Sequence, residues 1–460
     1  MKMLTKREDT IAAIATPAGN GGIGVVRLSG PKAFTILQAL LPNPQASLTW
    51  EARKLYFTSL ADPHSRETID TGLVCKMFRP HSYTGEDVVE LYGHGGKLVM
   101  ERLLQCVLAG GARLAEPGEY TFRAYLNGKM DLSQAEAVAD VIHASSEAAL
   151  KGAHRQLQGR LAEQVHKLRE KILFLMSRVE ATLDFPEEDI SFLGLREISA
   201  KLDEIRQVQQ AWLEKFCVGK SLREGIKVVL LGAPNVGKSS LINQFLGEDR
   251  AIVHESPGTT RDVVEGSCLY RGVWMQFFDT AGIRASGDPV EQEGIRRTLK
   301  TAATADITLL LIDAGAPATE IHDELKRPTL AVVNKIDLNP NLGLIQELQN
   351  NKRFQGVYPI SALNGTGVQE LKASIFNVLG IDNLLNLEQE NWISNTRHRE
   401  CVEKSLEFLN HASLSLQQRM PLECVAEDLK QAAEHLSQIT GGISNEEVLT
   451  KIFQDFCVGK

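Results

Sequence analysis

At 460 residues the chain is too long for one ordinary hydrophobic core, so it is read as two to four domains. A hydrophobic share of 43% against 23% charged residues, with no low-complexity tract, excludes a disordered chain, and no apolar run approaches the ~20 residues of a membrane helix. The net charge of −8 supplies no global field for nucleic acid, so any role on RNA has to rest on local features. The seven cysteines are scattered and never form a CxxC pair, a pattern of free thiols in a reducing cytoplasm and not of a disulfide framework or zinc site. Glu8 and Asp9 precede the short apolar stretch near the N-terminus, which argues against a secretory signal.

Residues 1 to about 125 are glycine-rich, with short apolar runs at 11–15, 24–28 and 87–91 between turn signals, and this pattern predicts an α+β domain. Gly19, Gly21 and Gly24 spell GxGxxG, but a dinucleotide fingerprint needs a helix to open there and the following VVRLSG is a strand. A glycine-rich turn between strands is expected instead. From 131 to about 215 the spacing becomes helical, with Val165, Leu168, Ile172, Leu175 and Val179 on one face. From 226 to about 379 the runs KVVLLG, VWMQFFD, ITLLLID and TLAVVN are too short for helices and end in polar or glycine-bearing loops. That is the signature of a parallel sheet with ligand loops at its strand ends. Helical spacing returns from about 391 in Val402, Leu406 and Leu409, then Val425, Leu429 and Leu436. Small helical units rarely stand alone, so this last segment is expected to pack against the helices of 131–215, making the nucleotide domain an insertion.

Gly232, Ala233, Pro234, Asn235, Val236, Gly237, Lys238 and Ser239 match GxxxxGK[ST] after KVVLLG and before a helix that takes in Ser240. Backbone N–H groups and the helix N-terminus cradle phosphates in such a loop, the lysine reaches the β and γ phosphates, and the Ser239 hydroxyl suits Mg²⁺. Asp279, Thr280, Ala281 and Gly282 follow VWMQFFD, where an aspartate can hold the Mg²⁺ shell and a glycine N–H can meet the γ-phosphate. Asn334, Lys335 and Asp337 close TLAVVN; a carboxylate there accepts from both guanine N–H donors, which adenine cannot supply together. Ser361, Ala362 and Leu363 end GVYPI, placed for the guanine carbonyl. The loop of His254, Glu255, Ser256, Pro257, Gly258, Thr259 and Thr260 lies between the first two motifs, with Thr260 placed to close over Mg²⁺. Four loops in this order at strand ends predict a Ras-like P-loop GTPase domain, a parallel-type sheet flanked by helices. Ile283 stands where many small GTPases carry the glutamine that orients water, and isoleucine cannot do that. Glu291 is the nearest candidate for the role; the alternative is that it only favours a helix N-terminus.

The chain resembles the TrmE (MnmE) family of tRNA-modification GTPases along essentially its whole length. The specific stretches are ATPAGNGGIGVVRLSG, YTGEDVVELYGHGG, PGEYTFRAYLNGKMDLSQAEAVADVIHASSE, LREG before the first GTPase strand, and the closing FCVGK. The resemblance implies a multidomain α+β and α/β chain: a folate-binding-like, dimerising domain over 1–125, a helical domain from 126–220 and 382–460, and a GTPase domain inserted at 221–381. It implies a homodimer that works in a heterotetramer with the flavoprotein MnmG (GidA), which carries the FAD. Together they place an aminomethyl or carboxymethylaminomethyl group on C5 of the wobble uridine of certain tRNAs, using 5,10-methylene- or 5-formyltetrahydrofolate. By position the folate contacts fall on Arg27, Glu90, Lys129 and Lys460, which on residue type alone would read as solvated surface charges. K⁺ ligation falls on Asn235, Thr259 and the backbone of His254 and Ser256, water orientation on Glu291, and a candidate nucleophile on Cys457. Leu363 departs from the Lys or Arg common at its place. FCVGK also occurs at 216–220; that inner copy is expected to be a helix end capped by Gly219. Two other readings share parts of this pattern: a ribosome-assembly GTPase, which predicts a basic RNA-binding appendage that is not seen, and a folate-dependent transferase with a regulatory GTPase.

Overall fold

The computed structural model describes residues 9–184, 193–247, 266–279, 305–315, 328–382, 393–442, 446–454, 456, 458 and 459. The chain forms two compact units, one of Met1–Ile142, Gln156–His166 and Leu436–Lys460, the other of His143–Arg155 and Lys167–His435.

In the first unit β1 (Ile11–Ile14), β2 (Gly21–Ser29), β3 (Leu55–Ala61), β4 (Thr68–Met77), β5 (Val88–Gly95) and β6 (Arg113–Leu114) make a sheet in the order β3-β4-β5-β2-β1-β6. All neighbours are antiparallel except β1 and β6. Alternation along the strands decides the two faces. Val26, Leu28, Val74, Val89 and Leu91 pack with α1 (Ala33–Leu40) and α2 (Lys97–Ala109) through Ile36, Leu37, Leu40, Leu103 and Val107. The residues between them form rows on the opposite face. One row runs Ala13, Arg27, Glu90, Cys75, Leu55, each in register with the next, and the adjacent row runs Val25, Tyr92, Leu73, Phe57. This second face keeps apolar side chains in solvent, Phe57 at 76% and Leu55 at 55%.

The glycine run begins as a turn, but β2 already starts at Gly21 and pairs Gly21 with Gly95 and Gly24 with Gly93. The expected turn is therefore half strand, because close pairing of two glycine-bearing strands recruits its second half. After β6 come α3 (Glu119–Leu126) and α4 (Leu132–His143), packed against α13 (Glu446–Gln454) through Phe122, Leu132, Ala135, Leu449, Phe453 and Phe456. A buried ion cluster ties α3 to the sheet. Arg123 donates to Asp9 at 2.6 Å, Glu119 at 3.0 Å and Glu86 at 3.2 Å, while Arg113 reaches Asp9 at 2.8 Å and Glu119 at 2.6 Å.

Between α4 and the second sheet run α5 (Glu147–Leu157), α6 (Arg160–Asp184) and α7 (Leu193–Glu224). Val165, Leu168, Ile172, Leu175 and Val179 are all buried, as their spacing predicts. Helix α11 (Thr396–Gln417) packs on α7, with Gln209 Nε2 donating to Ser405 Oγ at 3.1 Å and Arg206 Nε to Asn410 Oδ1 at 2.7 Å. Val402 and Leu409 are buried there, but Leu406 is only half-buried. Helix α12 (Leu422–Thr440) buries Val425, Leu429 and Leu436. The inner FCVGK corrects the expected cap: α7 runs straight through Gly219 and stops at Gly225, which takes φ +87°. Burial of Phe216 at 3% exposure holds this turn helical against a mid-helix glycine penalty of about 1 kcal/mol.

The second sheet has the order β12-β11-β10-β7-β9-β8. Its strands are β7 (Ile226–Gly232), β8 (Gly266–Tyr270), β9 (Val273–Asp279), β10 (Ile307–Asp313), β11 (Thr329–Asn334) and β12 (Gly356–Pro359). All pair in parallel except the edge strand β8, which the β8–β9 hairpin makes antiparallel. Helices α8 (Lys238–Leu246), α9 (Leu342–Asn350) and α10 (Val368–Val378) complete it. Strand order turns outward in both directions from β7, which puts the switch point of the sheet at the end of that strand.

Candidate functional site

The loop after β7 opens on α8, whose first turn carries Lys238, Ser239 and Ser240, the two serines exposed. Gly237 caps the helix at φ +101°, and a Cβ there would meet Asn334 Nδ2 at 2.2 Å, so the close approach of two loops requires glycine. Asn235 adopts φ +61°, a left-handed conformation that asparagine tolerates better than most residues. Lys238 is buried at 6% exposure, and its ammonium donates to Gly232 O at 2.8 Å and Ala233 O at 3.1 Å, which places the charge inside the phosphate cradle.

Asn334 ends β11 and joins three loops. Its Nδ2 donates to Val236 O at 2.7 Å and its Oδ1 accepts from Ala362 N at 2.9 Å. Lys335 sits at φ +67° and donates to Asp313 Oδ2 at 2.7 Å, the contact that chiefly holds Asp313's carboxyl below its ordinary pKa. Asp337 projects into solvent one turn further on. Ser361 is fully buried, Ala362 is 4% exposed, and Leu363 is 80% exposed with its carbonyl accepting from Gln244 Nε2 at 3.2 Å. The P-loop, Asn334 and the 361–363 loop thus converge at the C-terminal ends of β7, β11 and β12. Asp279 ends β9 beside Leu230 of β7. Thr280, Ala281, Gly282, His254, Glu255, Ser256, Pro257, Gly258, Thr259, Thr260 and Glu291 lie outside the described residues.

On the open face of the first sheet Arg27 Nε bonds Glu90 Oε1 at 2.8 Å, and Arg27 Nη1 donates to Gly459 O at 3.4 Å. Tyr120 anchors the same strand by donating to Arg27 O at 2.7 Å. The carboxylate and guanidinium, with the 458–459 turn, therefore meet at one place. Lys129 follows α3, with its ammonium on Pro80 O at 3.1 Å. Cys457 and Lys460 lie outside the described residues.

A model of the MnmE helical domain matches residues 132–457 and a model of the GTP-binding protein TrmE N-terminus matches 10–129. The tRNA modification GTPase MnmE of Coxiella burnetii (strain RSA 493 / Nine Mile phase I) is 43% identical over 469 residues, covering 98% of this chain and 99% of its own. Those of Desulforamulus reducens and Carboxydothermus hydrogenoformans are 39% and 40% identical, each match covering 98% of this chain and 100% of the relative. The chain belongs to the MnmE family.

Among solved structures, Era in complex with MgGDPNP and nucleotides 1506–1542 of 16S ribosomal RNA is 29% identical with a TM-score of 0.27, covering 33% of this chain and 55% of that one. The FeoB G-domain from Methanococcus jannaschii is 24% identical with a TM-score of 0.26, covering 34% of this chain and 98% of that one. Sequence reading missed two features of this MnmE chain: Asn334 as the tie between the P-loop and Ala362, and Tyr92 beside Glu90. The second had a signal, since residues two apart on a strand share a face.

Proposed function

We propose that this chain is a potassium-activated GTPase that acts with the flavoprotein MnmG (GidA) to modify C5 of the wobble uridine of certain tRNAs. The product is 5-carboxymethylaminomethyluridine or the aminomethyl form, built with a one-carbon unit from tetrahydrofolate. The observation that carries the reading is the presence, in one chain of this family, of a formed guanine-nucleotide cradle and a separate Arg27–Glu90 pair on an open sheet face.

The cradle suits GTP with Mg²⁺: Lys238 lies among loop carbonyls, Ser239 stands at the helix start, and Asp337 presents a free carboxylate for guanine. Asn235, with Thr259 and the backbone of His254 and Ser256, would hold K⁺, which offsets charge developing between the β and γ phosphates. Glu291 would orient water and Thr260 join the Mg²⁺ shell. On the first sheet Glu90 suits the amino and ring N–H donors of a pterin, and Arg27, Lys129 and Lys460 suit the anionic glutamate end. The exposed side chains of Leu55, Leu73 and Phe57 on the face of that pair support dimerisation through the same face. On this reading 1–125, 126–220 with 382–460, and 221–381 are the folate, helical and GTPase domains.

Two measurements test it. GTP hydrolysis should be faster in potassium than in sodium chloride at equal ionic strength, and Asn235→Ala should abolish the difference while nucleotide still binds. Wobble-uridine modification should disappear in cells that lack the gene. Equal turnover in the two salts removes the potassium assignment, and unchanged modification removes the tRNA reading.

A further inference from the structure

Both oxygens of the Glu90 carboxylate are held, from two different strands. Arg27 on β2 takes Oε1 at 2.8 Å, and the phenol of Tyr92, two residues along β5, donates to Oε2. The terminal torsion of a glutamate is broad and roughly two-fold, so an anchor on one oxygen leaves the carboxylate plane free to turn. Arg27 cannot fix that plane alone, because its Nη1 is directed to Gly459 O. The phenol supplies the second anchor. Glu90 is 9% exposed and Tyr92 is half-buried, so neither contact is a freely solvated surface pair. Burial and the neighbouring Glu90 charge raise the phenol pKa well above its ordinary value, so Tyr92 remains a donor across the working range. An ionised carboxylate has about four acceptor sites, and two anchors leave the others for a ligand.

We propose that Tyr92 is a positioning residue of the folate site: its hydroxyl sets the plane of the Glu90 carboxylate so that the carboxylate meets two adjacent N–H donors of a pterin ring together. This rests on the folate reading of the Arg27–Glu90 pair. A fork of two parallel hydrogen bonds demands coplanarity, and a carboxylate free to turn offers it only part of the time. Cys75, in register with Glu90 on β4, donates to Lys76 O, so it is not a substitute anchor.

The test is a double-mutant cycle on the full chain, with 5-formyltetrahydrofolate titrated into the wild type, Tyr92→Phe, Glu90→Gln and the double variant. Tyr92→Phe should weaken binding about tenfold, the scale of one lost hydrogen bond to a charged group, with the thermal midpoint unchanged. Glu90→Gln should weaken it further. In the Glu90→Gln background, loss of the phenol should change nothing, because Tyr92 acts only through that carboxylate; a purely structural tyrosine would add its own loss. Wild-type affinity in Tyr92→Phe, or losses that multiply in the double variant, overturns the inference and leaves the folate site standing. Wild-type affinity in Glu90→Gln overturns the folate reading and this inference with it. If Tyr92→Phe melts early, the cycle is run with Tyr92→Met, whose flexible apolar side chain fills the space and carries no donor; retained affinity there also overturns the inference.

Discussion

Asn334 and Asp337 stand three residues apart in one motif and do different work. The amide of Asn334 is buried and engaged with Val236 O and Ala362 N, groups 98 and 28 residues away in the chain. The Asp337 carboxylate remains in solvent. On the proposed function guanine recognition falls to Asp337, while Asn334 ties the loops together. Asp337→Asn should lower GTP affinity by at least about 10²-fold and shift preference to xanthosine triphosphate, whose ring offers the complementary acceptor. Measured dissociation constants for both nucleotides check this; full GTP affinity in the variant would contradict the assignment. Asn334→Ala should instead weaken both nucleotides alike, since it leaves two buried backbone groups without their partner. Both residues could be singled out in the sequence because a motif at a strand end carries its own context. The bridge could not, because both of its partners are backbone atoms brought near only by the sheet order.

Helix α3 shows why some elements escaped the sequence. Periodicity announces a helix by an apolar stripe, but this eight-residue helix buries Glu119 and Arg123, at 2% and 6% exposure. Their partners Asp9, Glu86 and Arg113 come from other elements, so nothing local marks the pair as interior. By contrast α6 has an uninterrupted apolar face and was fully legible. Burial works to raise the pKa of Glu119, yet hydrogen bonds and charge from Arg113 and Arg123 outweigh it and hold the carboxyl below its ordinary 4.5. Asp9 is likewise pushed up by burial and held below 3.8 by the same two guanidinium groups. Depressed carboxyls contribute stability above their unfolded values and lose it as pH falls through the folded ones. Arg123→Met should therefore destabilise the chain by about 3–5 kcal/mol at neutral pH, the scale of breaking a buried pair from one side. The gap from wild type should narrow as pH drops below about 4.5, where the carboxylates of both proteins take up protons. Urea melts at neutral and acidic pH measure this, and a gap that widens on acidification would show that the cluster does not stabilise the fold.

Across the whole molecule the nucleotide loops and the Arg27–Glu90 pair belong to different compact units. The phosphate cradle, Asn334 and Asp337 belong to the unit of His143–Arg155 and Lys167–His435, whereas Arg27, Glu90 and the 458–459 turn belong to the other. The sequence alone could not place Gly459, because the residues it meets lie more than 400 positions earlier. Gly459 O meets Arg27 across 432 positions, and Gly459 itself, at φ +98°, lies so close to β1 that a Cβ would meet Ile14 O at 2.6 Å. This close fit seats Gly459 directly against β1. It also offers a sharper test than truncation. Gly459→Ala keeps both Cys457 and Lys460 but forces the turn off β1, so it should suppress wobble-uridine modification as deletion of 457–460 does. Potassium-stimulated GTP hydrolysis should stay near wild type in both variants, because no residue of the nucleotide cradle is touched. The assay combines the flavoprotein partner, a methylene-folate donor and tRNA, with modified nucleosides read by mass spectrometry. Cys457→Ser divides what remains. Loss of modification in that variant with folate binding intact marks Cys457 as the nucleophile, activated as thiolates are by nearby cations. Retained modification leaves the segment a purely binding role. If Gly459→Ala modifies tRNA at the wild-type rate, the seat against β1 has no part in the reaction and the Arg27–Gly459 contact is only a fold contact.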